Sequence, residues 1–324
     1  MKCYSIQLFF LVIVNQTIFA QSLDSIDKEA LKKLEEAAEK SGSNSVVILQ
    51  NDELVAEWNF GKTKQPVELM SVLKSIVALG IGHLLTEGKI DSLDQPVYSF
   101  YPEWKQGLKQ EITIRHLLNH TSGLQNVGNA GVEIYPSPNA IDLALAAEVE
   151  TDPGSKFSYN NKAVNLLAGI IQKASGQRMD IFFGTEFFKP MGIDQYQWYF
   201  DESGNPHAMA GLRLLARDLA KFGQLVLDHG EWEGKLLVDK EYIATMLQQG
   251  QPFDARFGFL WWRLVDDKGN IRAYYGDGYL GQTLMIIPEH NIVAVRQVAP
   301  SSNYNSKTDG FAEFKNMVLQ LIRS

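Results

Sequence analysis

Hydrophobic and polar positions change period several times along this chain. Ser45-Val-Val-Ile-Leu-Gln50 and Glu53-Leu-Val-Ala-Glu-Trp58 are short runs rich in β-branched residues. With Asn51-Asp52 between them as a turn signal, they predict a hairpin. Leu69 to Thr86, LMSVLKSIVALGIGHLLT, is different: apolar residues fill every helical face, which predicts a buried helix ending near Gly88. Ahead of the hairpin, IDKEALKKLEEAAEKS is crowded with Lys and Glu. It predicts a solvated helix capped by Asp24 or Ser25.

From about Asp91 to Gly211, Pro96, Pro102, Pro136, Pro138, Pro153 and Pro190 punctuate short helical patterns at Ile114–Leu118, Ala140–Ala147, Lys162–Ser175 and Ile181–Phe188. Helix resumes at Ala216–Asp228 and Lys240–Gln248. Strands are then predicted at Phe257–Val265, Ile271–Tyr275, Gln282–Ile287 and Ile292–Val298, and a last helix at Phe311–Ile322. Strands at both ends around a helical middle predict an α/β fold of the α+β kind. One antiparallel sheet forms from N- and C-terminal strands (21–90 and 212–324), flanked by helices, with a mostly helical insertion at 91–211.

Composition narrows the setting. With 324 residues, 45% of them apolar and 11% aromatic, the chain is a folded globular protein. Lys2, the apolar stretch Leu8–Val14 and Ile18-Phe19-Ala20 predict a bacterial-type signal at residues 1–20 and a periplasmic or secreted product. The stretch is too short to span a membrane comfortably. Cys3, the only cysteine, would leave with the signal, so disulfides, zinc–cysteine sites and cysteine nucleophiles are excluded. The net charge of −8, without a basic run, excludes nucleic acid as a partner. No His/Asp/Glu spacing supports a metal site, and nothing calls for a cofactor.

Within the buried helix, Lys74 is the only fully charged side chain. Burial disfavours an ammonium, so such a lysine either snorkels out or serves as a base. Ser71, three residues earlier, shares its helical face. A desolvated amine beside a hydroxyl is an activated nucleophile for acyl transfer. The same spacing recurs at Ser25 and Lys28, but there the surrounding charge predicts an ordinary surface helix.

Two further segments stand out. Of the twelve tyrosines, only Tyr159 has asparagine two places on, Asn161, at the end of a turn-rich approach to a helix. Such a loop can present a phenol and an amide to a cleft. Gly276-Asp277-Gly278-Tyr279-Leu280-Gly281-Gln282 is read as opening a strand that ends at Pro288. Its glycines allow close backbone approach, suited to donating an N–H to an oxyanion.

Taken in order, Ser-x-x-Lys, Tyr-x-Asn and a glycine-rich strand resemble the serine β-lactamase and penicillin-binding-protein superfamily, in its class C β-lactamase, D-alanyl-D-alanine peptidase and esterase branch. Ile114-Arg-His-Leu-Leu-Asn-His-Thr-Ser-Gly-Leu124, Gly211 to Ala220 and the Phe257-Gly258…Trp261-Trp262 stretch add to the likeness. The resemblance implies Ser71 as nucleophile, Lys74 as the amine that activates it, Tyr159 as proton relay to the leaving group and Asn161 as the amide that orients lysine or substrate. It implies that the strand from Gly276 to Tyr279 lines the substrate and oxyanion site with Ser71.

One departure matters. Where relatives have Lys-Thr-Gly or His-Thr-Gly, this chain has Gly276-Asp277-Gly278, without the cation that seats a substrate carboxylate. Asp277, if turned into the cleft, would repel one. The expectation is a secreted serine hydrolase acting on a small or peptide-like ester or amide, akin to the esterases and 6-aminohexanoate-oligomer hydrolases. A D-alanyl-D-alanine carboxypeptidase or β-lactamase remains open, as does a non-catalytic penicillin-recognition or peptidoglycan-binding module. His116 and His120 read as structural, within a helix and turn. The oligomeric state is not legible.

Overall fold

A computed structural model describes residues 26–300 and 311–322; the predicted signal at 1–20, Asp24 and Ser25 lie outside them. The chain runs α1 (Lys28–Lys40), β1 (Ser45–Gln50), β2 (Glu53–Trp58), β3 (Val67–Glu68) and, after a 3₁₀ turn at Met70–Val72, α2 (Leu73–Thr86). Then come α3 (Ile114–Leu118), α4 (Ala130–Glu133), α5 (Ala140–Ala146), α6 (Asn161–Ser175) and α7 (Met179–Phe183). β4 (Gln197–Trp198), β5 (Leu212–Leu214), α8 (Ala216–Leu227), β6 (Glu231–Trp232), β7 (Lys235–Leu236) and α9 (Lys240–Leu247) follow. The last elements are β8 (Trp262–Val265), β9 (Ile271–Gly278), β10 (Gln282–Ile287), β11 (Ile292–Gln297) and α10 (Phe314–Leu319).

The main sheet is six-stranded and antiparallel, in the order β2-β1-β11-β10-β9-β8. The first hairpin thus joins the C-terminal strands through β1 and β11, with Ser45 opposite Gln297. Asn51 and Asp52 take positive φ, 52° and 63°, the conformation of the tight turns that match strand twist. Val46 and Ile48 pack on one face with Leu34 of α1 and Phe314 and Val318 of α10, while Val47 and Leu49 face the core containing α2. Helices cover both faces, which explains why β1, β10 and β11 are buried end to end.

α2 is the central helix of the larger core, buried from Leu73 to Leu84. Its approach to α9 depends on Gly82, where a Cβ would lie 2.4 Å from the Tyr242 ring. The Tyr242 hydroxyl donates to the Ala78 carbonyl at 2.7 Å and fixes that contact. Gly82→Val should therefore cost about 1–3 kcal/mol through overpacking. Thermal unfolding checks this, and an unchanged midpoint would show that α9 yields freely.

Several elements differ from the sequence reading, each for a local reason. Asp27, not Asp24 or Ser25, caps α1, accepting from Ala30 N–H at 2.8 Å. Phe257 to Trp261 is an irregular buried segment, with Leu260 at φ 56°, and only Trp262–Val265 pairs as a strand. The helix expected at Ile181–Phe188 starts at Met179 and finishes as a π-turn from Gly184 to Phe188. Gly276–Gly278 ends β9 instead of opening the next strand; a turn at Tyr279–Gly281, with Leu280 at φ 69°, separates it from β10. A second, three-stranded sheet, β3-β5-β4, carries the chain into the head of α2. No helix among the described residues is long and apolar enough to cross a membrane.

Candidate active site

Ser71 stands in the 3₁₀ turn that leads into α2, directly after Met70, which is held at φ 49°. A non-glycine residue there is strained, and strain of this kind persists where the surroundings fix it. Leu69 N–H donates to the Leu212 carbonyl at 2.9 Å, so β5 holds the entry to the turn. The turn places the Ser71 N–H at the positive end of a helix, where early N–H groups have no intrahelical acceptor.

Lys74 does not snorkel. It is 2% exposed, and its Nζ lies 2.9 Å from Ser71 Oγ and 2.7 Å from the Met209 carbonyl. Burial lowers its pKa from 10.5 to about 7. The Met209 carbonyl takes one N–H in either protonation state, which directs the remaining valence of Nζ toward Ser71. The segment that supplies it is anchored by Asn165 on α6, whose Oδ1 accepts from Ala208 N–H at 3.0 Å and Met209 N–H at 3.2 Å.

Tyr159 comes in from the loop before α6, as expected, and its hydroxyl is hydrogen-bonded to Ser71. Burial pushes its pKa up to about 12; the Ser71 hydrogen bond pulls the other way and the Asp277 charge adds to the rise. Lys74 Nζ is 5.2 Å from the centre of its ring. Asn126 Nδ2 donates to the Tyr159 carbonyl at 3.2 Å, and Trp262 stacks on the ring at 6.4 Å. His120 lies against its other neighbours, with ring centres 4.3 Å from Tyr159 and 5.2 Å from Phe257. Its Nδ1 accepts from Asn160 N–H at 3.1 Å, and burial, then Lys74, keeps it neutral. His116 serves in the capping box of α3. Both histidines thus hold backbone.

Asn161 is the first residue of α6, and Asn160 is the cap that holds the helix start. Asn161 makes no hydrogen bond to Lys74 among the described residues; its buried Oδ1 has no partner. The lysine is oriented by the Met209 carbonyl instead. The sequence reading missed Met209 because a backbone acceptor leaves no mark on residue type. Asn165 had a signal, since it lies one helical turn beyond Asn161.

β9 ends against the turn that carries Ser71. A Cβ at Gly276 would lie 2.7 Å from Ser75 Oγ, and one at Gly278 2.7 Å from the Leu69 carbonyl. Only glycine allows this approach. Strand alternation turns Asp277 to the opposite face, where Lys315 Nζ pairs with it at 2.9 Å and Thr283 Oγ1 donates at 3.1 Å. The condition under which Asp277 would repel a substrate carboxylate is therefore not met: its carboxylate pairs with Lys315, on the face opposite Gly276 and Gly278. Tyr279 follows on the turn and is 59% exposed. No cluster able to hold a metal ion occurs among the described residues.

A family model described as Beta-lactamase matches residues 31–308. The 6-aminohexanoate-dimer hydrolase of Paenarthrobacter ureafaciens is 26% identical over 298 residues, covering 82% of this chain and 75% of its own length. Penicillin-binding protein 4* of Bacillus subtilis is 30% identical over 70% of this chain and 58% of its own. The solved structure of the octameric penicillin-binding protein homologue from Pyrococcus abyssi matches 90% of this chain and 77% of that one, at 23% identity and a TM-score of 0.71.

Proposed function

The chain belongs to the beta-lactamase family, and from that premise we propose that it hydrolyses an ester or amide through an acyl-enzyme on Ser71. The observation that carries this reading is the Ser71–Lys74 pair: a hydroxyl 2.9 Å from a fully buried amine whose pKa lies near 7. About half of such an amine is free base at neutral pH. Ser71 gives its proton to Lys74 Nζ as Oγ attacks the carbonyl carbon. The Ser71 N–H, at the head of α2, faces charge developing on the carbonyl oxygen. Tyr159, with a pKa near 12, stays protonated at neutral pH and is suited to hand its proton to the departing oxygen or nitrogen. The proton on Lys74 then restores Tyr159. Water repeats the sequence in reverse and frees Ser71.

The glycines of β9 bring backbone close to Ser71 but supply no cation for a substrate carboxylate. That favours esters and amides without such a group over penicillins and D-Ala-D-Ala peptides. The ester reading no longer needs Asp277 as a repelling charge.

Intact mass spectrometry after treatment with a fluorophosphonate tests the assignment. One adduct is expected on the wild type, mapped to Ser71, and none on Ser71→Ala. Labelling at Ser122 or unchanged ester turnover in Ser71→Ala would sink it. In the same preparation, a short-chain aryl ester should show a higher kcat/KM than nitrocefin. Faster clearance of nitrocefin would favour a β-lactamase instead.

A further inference from the structure

Four consecutive residues, Leu124 to Val127, run along the segment that presents Tyr159. The Leu124 carbonyl accepts from Asn160 Nδ2 at 2.8 Å, and Asn126 Nδ2 donates to the Tyr159 carbonyl at 3.2 Å. Gln125 Oε1 accepts from Lys162 Nζ at 2.5 Å. Val127 N–H donates to Glu133 Oε1 at 3.1 Å, and Lys162 Nζ pairs with the same oxygen at 2.9 Å. The four residues thus form a strap, and Glu133, at the end of α4, clips it to Lys162 of α6.

Lys162 is out of place by every local rule. It stands in the first turn of α6, three residues after Tyr159, and is 2% exposed. A cation there meets the positive end of the helix dipole, and burial strips its hydration. The helix start does not need it, since Asn160 already caps α6 by accepting from Ala163 N–H at 2.8 Å. An ion pair taken out of water contributes little net stability, while its directional bonds hold one arrangement of the groups it joins.

What this pair holds is one flank of Tyr159. On the other flank, Ser158 N–H donates to the His120 carbonyl at 2.8 Å and Asn160 N–H to His120 Nδ1 at 3.1 Å. Those bonds fix the residues on either side of Tyr159. Its own carbonyl is held from the strap, through Asn126.

We infer that Lys162 and Glu133 are positioning residues for proton delivery: their ion pair clips the strap against Tyr159 and sets the phenol where the departing group takes its proton. The inference rests on Tyr159 being the acid of the Ser71 reaction. As the bond from carbonyl carbon to leaving oxygen breaks, the electron pair goes with the oxygen, the Tyr159 proton neutralises it, and Lys74 returns a proton to Tyr159. An alkoxide needs that proton to depart, whereas 4-nitrophenolate leaves without it.

The test compares kcat/KM for benzyl butyrate and 4-nitrophenyl butyrate, which share an acyl group and differ in their need for a proton. Tyr159→Phe should lower the benzyl-to-nitrophenyl ratio by about 10²-fold, the lower end for a positioned acid. Glu133→Gln and Lys162→Met should each lower it about tenfold, a partial displacement on a scale where about 1 Å costs 10²-fold. In the Tyr159→Phe background, Glu133→Gln should lower it no further. A merely structural role would slow both esters alike, and any loss of folded protein cancels in the ratio. A ratio unchanged by either Glu133→Gln or Lys162→Met, a further fall in the double variant, or a wild type that cleaves only the nitrophenyl ester overturns the inference and leaves the serine hydrolase standing. If Tyr159→Phe leaves the ratio unchanged, the acid role of Tyr159 fails and this inference with it. If the fluorophosphonate also does not label Ser71, the hydrolase reading itself fails.

Discussion

Lys74→Met should abolish most of the activity and at the same time make the protein more stable at neutral pH. The first half follows from the chemistry. A positioned base contributes on the order of 10²–10⁴-fold, and no other base lies on Ser71: Tyr159 holds its proton up to about pH 12 and His120 is turned to the Asn160 N–H. The second half follows from burial. Lowering the lysine pKa from 10.5 to about 7 corresponds to roughly 5 kcal/mol of disfavoured ammonium in the folded state. Methionine removes that cost but leaves the Met209 carbonyl without its donor, at about 1–3 kcal/mol. The net gain is about 2–4 kcal/mol.

The pH dependence gives a separate check. Between about pH 7 and 10.5 the unfolded chain holds a proton on Lys74 that the folded chain has lost, so wild-type stability rises with pH across that window. The advantage of Lys74→Met should be full below pH 7 and give way above about pH 10.5 to a deficit of about 1–3 kcal/mol, the cost of the Met209 carbonyl left without its donor. The acylation rate of the wild type should rise through about pH 7 for the same reason, as the free amine appears. Urea unfolding at pH 7 and pH 10, with stopped-flow acylation across the range, measures both. A variant no more stable than the wild type at pH 7, or one that still acylates at a wild-type rate, would contradict the role given to this lysine.

The pair at Ser71 and Lys74 was legible because a buried helix with a single charge is an anomaly that residue type alone reveals. β1, β2 and β10 were legible to the residue, since β-branched runs between turn signals have one reading. Phe257–Trp261 departs from its strand pattern for the same reason: aromatic richness signals burial, and burial alone does not make a strand. β3, β4 and β5, two or three residues each, are too short to carry a period, yet they position the entry to α2. The Met209 carbonyl belongs to tertiary structure alone. The direction of Asp277 was undecided in the sequence because the end of β9 was not placed. One residue of register decides which face a strand side chain takes.

That register also decides what position 276 tolerates. Relatives with a lysine or histidine in the corresponding motif suggest that a cation could be installed there. In this chain, a Cβ at Gly276 would meet Ser75 Oγ at 2.7 Å and Val72 Cγ1 at 3.3 Å. Ser75 cannot retreat easily, since its Oγ donates to the Leu260 carbonyl at 2.8 Å and its own carbonyl accepts from Trp261 Nε1 at 3.2 Å. The strand must move instead, away from the turn that carries Ser71. A misplacement of about 1 Å can lower a rate by 10²-fold. Gly276→Val should therefore lose acylation by about that factor, and Gly276→His should lose it as well, without gaining reaction with penicillin. Ser75→Ala, which clears the contact, should recover part of the loss when combined with Gly276→Val. Fluorophosphonate labelling rates on the three variants decide the matter. Near-normal labelling of Gly276→Val would show that β9 does not depend on glycine to reach the nucleophile.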